Sequence, residues 1–524
     1  MKFLNIITVV LLIVTSMVFM NSCSTDEFLD RPPEDSITLD NFFSNEEELV
    51  AATNALYSVP WFNFNNKAFW SISELLSGNA RTFSGDIVNY GNFSITGDNS
   101  VLSDGWESLW GVVAQSNAII NFLPDRVSPS ISQEVVNNTL GEAHFMRAVA
   151  YFYLVRTWGA VPIIENNLDL ANNPIVNTNQ VLDIYQFIEM DLQFAIDNCY
   201  QKVRGSNYED NGHVSSGSAR AFKAKIHLYQ QEYGEARIEA ETVINSGEFK
   251  LYGQDIPGTT YADLFLTVNN NNEESVFALQ WEPNRYGTGN SMQASFALNS
   301  TITGTGDGFS VIGPTIDLQS AYEIGDLRRQ PTIMLAGDVY PNILSTSGGF
   351  TVPDDVNVQN TRAAIKKYVV GTPEDNDGEG ISQGTANNTY IMRYAEVLLI
   401  HAEAILAGGA STSDPAALNS FNSVRTRAGL GSFPSITFDD ILKERRIELA
   451  IEGDYWFDLG RIDRSKAIDI ISNQERGTFS NDDPNVIFSE NYTPSIDDFI
   501  LAYPASDVAI NPLLLEPPVP YDFN

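Results

Sequence analysis

Two stretches of this 524-residue chain use the same device, a helix, a short turn and a second helix, with small residues where the two must meet. The first runs from Ser218-Ala219-Arg220-Ala221-Phe222-Lys223-Ala224 to Tyr229, turns at a Glu-Tyr-Gly step and resumes from Ala236 to Ile244. The second runs from Tyr394 to Leu406, breaks at Gly408-Gly409 and resumes from Ala416 to Ala428. Such a pair cannot bury its apolar stripe alone, so it must stack on neighbouring helices. That requirement excludes a sheet-built fold and predicts a row of packed helices at both ends of the chain.

Other segments supply those neighbours. Asn45-Glu46-Glu47-Glu48 reads as a capped first turn, because Asn accepts an orphan amide and acids favour the positive helix end; Leu49, Ala52 and Leu56 follow at helical spacing. Helical patterns also cover Trp106 to Phe122, Val135 to Trp158, Val181 to Cys199 and Asp439 to Glu452. The hairpins resemble tetratricopeptide repeats. Between Leu251 and Asn388 the pattern fails: Gly, Asn, Thr, Ser and Asp dominate, and Val276-Phe277-Ala278-Leu279 is a strand-like run. The expected fold class is mainly α. Tetratricopeptide-like hairpins form a scaffold over about 39–250 and 389–475. An irregular ligand-facing portion with short strands spans about 251–388, with a C-terminal tail over 476–524. Residues 39–524 are read as one domain. Long loops on a rigid scaffold are where binding residues gather.

The first residues address the chain. Lys2, an apolar run from Ile6 to Met20 and the small Ser22 before Cys23 form a secretory signal over 1–22. The run is short for a membrane span. Ser22-Cys23 resembles a bacterial lipoprotein processing site, with Met20 where leucine is usual, and Asp26-Glu27 resembles the acidic tag that sends lipoproteins to the cell surface in the Bacteroidetes. Cys23 is expected to carry lipid, with 23–38 as a tether containing Pro32-Pro33. Cys199 then has no disulfide partner. With 67 acidic residues against 30 Lys and Arg, the formal charge is −37, which repels nucleic acid and disfavours a highly anionic ligand unless local cations override it.

Three segments carry a more specific resemblance. Gly141-Glu142-Ala143-His144-Phe145-Met146-Arg147-Ala148 leads into Tyr151-Phe152-Tyr153-Leu154 and Trp158-Gly159-Ala160-Val161-Pro162. Arg393-Tyr394-Ala395-Glu396 leads to Asn422-Ser423-Val424-Arg425-Thr426-Arg427-Ala428-Gly429, and Glu444-Arg445-Arg446-Ile447-Glu448-Leu449 to Tyr455-Trp456-Phe457-Asp458-Leu459. With Asn511-Pro512 in the tail, the mature chain resembles the SusD/RagB family of outer-membrane nutrient-binding lipoproteins. Asp454 replaces a more familiar arginine or histidine and is expected at the surface. The resemblance implies a helical scaffold, no enzymatic activity, a TonB-dependent (SusC-like) transporter as partner, and capture of oligosaccharide or peptide for import.

The residues allow rival readings. A glycosidase needs paired carboxylates, and Glu444, Glu448, Glu452 and Asp458 are candidates; their interleaving with Arg445, Arg446 and Arg461 favours charge pairs that tie a helix to its neighbours, as for Glu142 with Arg147 and for Arg393, Glu396 and Glu403. A repeat scaffold that binds only proteins or peptides is the second alternative. The four histidines lack ligand spacing, and His144 and His401 are expected to be packed and hydrogen-bonded. Asp375-Asn376-Asp377-Gly378-Glu379-Gly380 opens like a calcium loop but has Ala386 at the closing position. No metal or cofactor is expected.

The aromatic loops carry the positive signal. Sugar rings stack their C–H faces on Trp or Tyr while amides and charged groups meet the hydroxyls. Trp281-Glu282-Pro283-Asn284-Arg285-Tyr286 offers both kinds of group, as does the loop from Trp61 to Asn66 with Asn79 and Arg81 nearby. The expected site has Trp281 as the main platform, Tyr286 and Trp61 as supplements, and Asn284, Asn79 and Arg81 as hydroxyl partners. Trp106, Trp110, Trp158 and Trp456 are assigned to packing. A neutral glucan such as laminarin is preferred as ligand because of the acidic surface.

Overall fold

The computed structural model describes residues 43–204, 212–483 and 485–523; the signal segment, Cys23 and the tether lie outside them. Helix α1 (Glu46–Ala55) starts where the asparagine cap requires, with the Asn45 side chain accepting from the Glu48 amide at 3.0 Å. Helices α2 (Ser100–Arg126) and α3 (Gln133–Trp158) are capped by Asn99 and Ser132. After α4 (Val181–Asn198) come the two hairpins, α5 (Ser216–Tyr229) with α6 (Tyr233–Ser246), and α7 (Tyr394–Leu406) with α8 (Pro415–Arg427). Each helix from α2 to α8 packs on the next, so α6 lies directly against α7 although about 150 residues separate them. No helix among the described residues is long and apolar enough to cross a membrane.

Close approach explains the small residues. A Cβ built on Gly141 in α3 would lie 2.7 Å from the Cys199 Sγ and 3.0 Å from the Cys199 amide nitrogen, so only glycine lets the end of α4 seat there. Cys199 is buried and free, and burial pushes its thiol well above the ordinary range.

The irregular portion is an excursion that leaves α6 and returns at α7. It is closed by strand β1 (Ser275–Leu279) pairing antiparallel with β2 (Thr389–Arg393), which runs straight into α7. Four further two-stranded pieces occur among the described residues, two of them, 333–335 with 363–365 and 339–340 with 350–351, within the excursion. The fold is thus mainly α with short strands, as expected.

Buried charge holds the excursion to the scaffold. Arg393 lies at the β2–α7 junction and donates to Glu274 at 2.5 Å, Glu448 at 2.8 Å and Glu452 at 2.6 Å. Arg427 from α8 reaches Glu448 at 2.5 Å and Glu274 at 3.2 Å, and Arg328 from the excursion reaches Glu444 at 2.5 Å and Glu448 at 3.1 Å. Burial acts to raise the Glu448 carboxyl, but Arg427, Arg393 and Arg328 outweigh it and hold the group well below the usual carboxylate range. The glutamates are structural ties, as their spacing predicts, although their partners come from distant segments rather than from Arg445, Arg446 and Arg461.

Three expectations are corrected here. Helix α9 (Phe438–Glu448) stops before Glu452, because Ile451 and Gly453 take positive φ of 66° and 87° and a Cβ on Gly453 would overlap the Phe69 ring at 2.1 Å. Asp454 is buried rather than superficial: Lys225 from α5 and Arg445 from α9 meet it at 2.8 and 2.6 Å, and Arg156 from α3 at 3.5 Å. Glu142 does not pair with Arg147; it accepts from Tyr57 (2.6 Å), Asn138 (2.7 Å) and His213 (2.6 Å), while Arg147 grips Asp191.

Candidate functional site

Beyond β1 the chain passes through Gln280 and Trp281 into a tight loop. The Glu282 amide donates to the Thr288 carbonyl at 2.8 Å and the Thr288 amide to Arg285 at 3.2 Å, which holds Asn284, Arg285 and Tyr286 out as an exposed tip. Trp281 stays inside, its indole N–H donating to the Thr389 hydroxyl on β2 at 3.0 Å, and only 6% of the residue is exposed. Tyr286 is 60% exposed. Between them sits Phe62, edge-on to Tyr286 at 5.2 Å and to Trp281 at 6.3 Å, so the three rings run from the interior to the solvent.

Two cavities of about 500 Å³ each meet here, sharing Trp281 and Asn270 as lining residues. One is walled by Leu266, Val268, Asn342 and Asp375, the other by Tyr57, Val59, His213 and Thr288. An amide cluster lines the second: the side chains of Asn271 and Gln280 exchange two bonds of 2.9 Å, and Asn388 donates to both at 2.9 and 3.0 Å. Asn270 supports it by accepting from the Asn388 backbone at 3.0 Å and donating to the Ala386 carbonyl at 2.8 Å. The cluster satisfies most of its own capacity, Gln280 also donating to the Ala278 carbonyl at 3.0 Å, and leaves one Asn271 N–H and the Asn388 Oδ1 to meet a hydroxyl.

Asp375 is not free for a cation. Burial acts to raise its carboxyl, but hydrogen bonds from Ser345, Thr372 and Leu344 dominate and lower it; the group clamps the 344–345 turn to the 372 turn. His144 and His401 are packed and hydrogen-bonded as expected, to Asp191 at 2.5 Å and Ser420 at 2.8 Å. One set among the described residues, Glu189, His227 and Glu232, brings ligand atoms within 4.8 Å of one another, but it lies on the scaffold and lines neither cavity.

The six expected contacts therefore divide. Trp281, Tyr286 and Asn284 come together. Trp281 is a wall rather than the main platform, because most of its surface is covered; Tyr286 offers the open ring. Trp61 is corrected to core: it is 0% exposed, its indole N–H donates to the Leu56 carbonyl at 2.8 Å, and its ring packs on Phe64 and Tyr153. The loop from Trp61 does reach the site, but through Phe62. Asn79 is also corrected to core, 0% exposed, donating to Glu74 at 3.0 Å and accepting from Arg446 at 2.9 Å. Arg81 lines a different, smaller cavity of about 110 Å³ with Phe83, Arg476 and Tyr492, donating to the Gln359 carbonyl at 3.0 Å. The amides missed by the sequence argument are Asn270, Asn271, Gln280 and Asn388; the run of four asparagines over 269–272 just before β1 was the available signal.

The buried carboxyl with the clearest acid-like character is elsewhere. Burial and neighbouring Asp454 raise Glu396 to about 6, against the pull of Lys225 and Arg445. It is sealed within α7 and lines no cavity described above.

Comparison with known proteins agrees with this architecture. Residues 273–515 match the model of the SusD family, and residues 27–228 match a model described as starch-binding associating with outer membrane. A SusD-like protein of Bacteroides ovatus is 34% identical over 98% of this chain and 98% of its own. A crystal structure with xylogluco-oligosaccharide superposes with a TM-score of 0.81 at 33% identity, covering 91% of this chain and 99% of that one. A laminarin-binding SusD-like protein superposes at 0.70 with 25% identity, covering 90% and 98%. The helical scaffold, the excursion closed by β1 and β2, and these matches along nearly the whole length together place the chain in the SusD family.

Proposed function

We propose that this protein is a cell-surface lipoprotein that binds oligosaccharide in the cleft around Trp281 and passes it to a TonB-dependent outer-membrane transporter. The observation that carries the reading is the ring series Tyr286–Phe62–Trp281, which runs from an open ring to the Trp281 wall shared by two cavities, one of them lined by the Asn271–Gln280–Asn388 amide cluster. A sugar face stacks on the tyrosine while its hydroxyls exchange hydrogen bonds with the amides and with Asn284. The relatives that carry xylogluco-oligosaccharide or bind laminarin support a glucan-type ligand. A lipid on Cys23, with residues 23–38 as the tether, raises the local concentration of captured glycan over the transporter pore.

The placement of the candidate carboxylates on the helices supports binding rather than cleavage. Glu444, Glu448 and Glu452 are locked by Arg328, Arg393, Arg425 and Lys367, and none lines the cleft. The test is calorimetry with xylogluco- and laminari-oligosaccharides alongside a reducing-end assay. Saturable binding without new reducing ends is expected; new reducing ends establish an enzyme, and binding to neither leaves a protein-binding scaffold. For placement, Cys23→Ser is expected to leave the membrane fraction and to stop co-purifying with the transporter; recovery in the membrane with normal lipid labelling refutes it.

A further inference from the structure

The cleft does not end at the two cavities beside Trp281. A third, of about 390 Å³, shares Leu266, Asn342 and Val370 with the first and so adjoins it on the side away from the amide cluster's cavity, with which it shares no lining residue. The third lobe differs in chemistry. Tyr261, Phe265, Tyr340 and Pro341 give it ring and apolar walls, and Lys366 and Arg427 add two cations.

Lys366 is the unusual one. Its ammonium donates to the Val369 carbonyl at 2.7 Å and stands 5.6 Å from the Tyr340 ring centre, and no carboxylate lies within 4 Å of it among the described residues. An ammonium has three N–H donors, so two remain for a ligand. Arg427 is spent on Glu274 and Glu448, yet its buried Nε has no hydrogen-bond partner. The lobe's acid, Asp263, is engaged by Thr260, through its backbone amide at 2.7 Å and its hydroxyl at 2.8 Å. In a chain of formal charge −37 this is a pocket where local cations override the field.

We propose that the Lys366 lobe is a subsite for a uronic acid residue carried on the bound glycan, an inference that rests on the glycan-binding reading above. The sugar ring sits against the lobe walls that the largely covered Tyr340 and Phe265 form, and the C6 carboxylate accepts from the Lys366 ammonium. Burial already pulls the Lys366 amine down to about 8, the mark of a cation whose charge is not compensated; a carboxylate beside it restores the charged form. Acid recognition is therefore present at pH 7 and fades as pH rises through about 8.

Two measurements test this. Calorimetry compares one oligosaccharide backbone with and without a glucuronic acid branch. The wild type is expected to favour the acidic ligand about tenfold and Lys366→Met to lose that preference. Equal affinities in the wild type overturn the subsite and leave the proposed function standing; binding of neither ligand refutes the proposed function instead. The second readout does not depend on the glycan. In protein carrying isotope-labelled lysine, with the Lys366 resonance identified through Lys366→Arg, millimolar glucuronate is expected to raise the Lys366 titration midpoint by about half a unit or more, and glucose to leave it in place. An unmoved midpoint with glucuronate removes the subsite.

Discussion

Replacing Tyr286 with alanine separates a binding ring from a packing ring. The residue is 60% exposed and its ring meets Phe62 edge-on, so its removal exposes little core. A pyranose laid on the open face covers roughly 50 Å² of carbon on each partner, about 100 Å² together, worth about 2.5 kcal/mol at ~25 cal/mol per Å². Ordering the sugar and the loop tip takes back part of this, which leaves about 1–2 kcal/mol, roughly a five- to thirtyfold loss of affinity. Trp281→Ala behaves differently: the ring is 6% exposed and bonded to Thr389, so the cost falls on folding, about 3–5 kcal/mol, with a lowered Tm. The assay is paired calorimetry and thermal unfolding of both variants. Tyr286→Ala with unchanged glycan affinity and unchanged Tm refutes the stacking argument; Trp281→Ala with unchanged Tm refutes the assignment of that ring to the wall.

Three further outcomes follow from the buried charges and the tight turn. Arg393→Met leaves Glu274, Glu448 and Glu452 short of a cation and is expected to cost about 3–5 kcal/mol by urea unfolding, partly recovered on adding Glu448→Gln; a loss under 1 kcal/mol contradicts the network. Glu448 and Asp454 are held well below the ordinary carboxylate range in the fold, so their contribution is complete above the unfolded values near ~4 and is lost as pH falls below them, about 1.4 kcal/mol per pH unit for each group. Asp454→Asn should accordingly flatten the acid limb of the stability profile, and an unaltered slope counts against it. Gly453→Ala places a methyl group against Phe69 at a φ of 87° and is expected to lower stability by about 2–4 kcal/mol; a neutral result on thermal unfolding rejects the close approach.

The scaffold was legible because its signal is local. Helices α4 and α7 fall within a residue of the periodic runs Val181 to Cys199 and Tyr394 to Leu406, since 3.6-residue spacing and the caps are properties of the segment itself. The pairing of β1 with β2 was only half visible, because the partner of Val276–Leu279 lies more than a hundred residues away and nothing in either strand states the other's register. Trp61 and Phe62 show the limit most sharply. Adjacent aromatics in one short loop look equivalent in sequence, yet packing on α2 turns the first into the core and aims the second at Tyr286. Asp454 failed for a related reason: after Gly453 it looks like an exposed turn, and Lys225, Arg156 and Arg445 converge on it only once α3, α5 and α9 are assembled.

The distribution of charge links the fold to the choice of ligand. Among the described residues more than a third of the chain's Lys and Arg are buried, but fewer than a quarter of its Asp and Glu. Guanidiniums such as Arg328, Arg393 and Arg427 are used to seat the excursion on the helices, so among the groups left outside the core acids outnumber cations by a wider ratio than in the composition as a whole. A neutral glycan pays no electrostatic penalty on that surface, and stacking with amide hydrogen bonds carries no long-range charge term. Its affinity should therefore be nearly flat from about 0.05 to 0.5 M salt, over which the Debye length falls several-fold. An anionic branch has to cross the same field to reach Lys366, so salt first helps its approach and then screens the contact. A steep salt dependence for the neutral ligand would mean that surface charge, not the Tyr286 ring and its amides, holds the glycan.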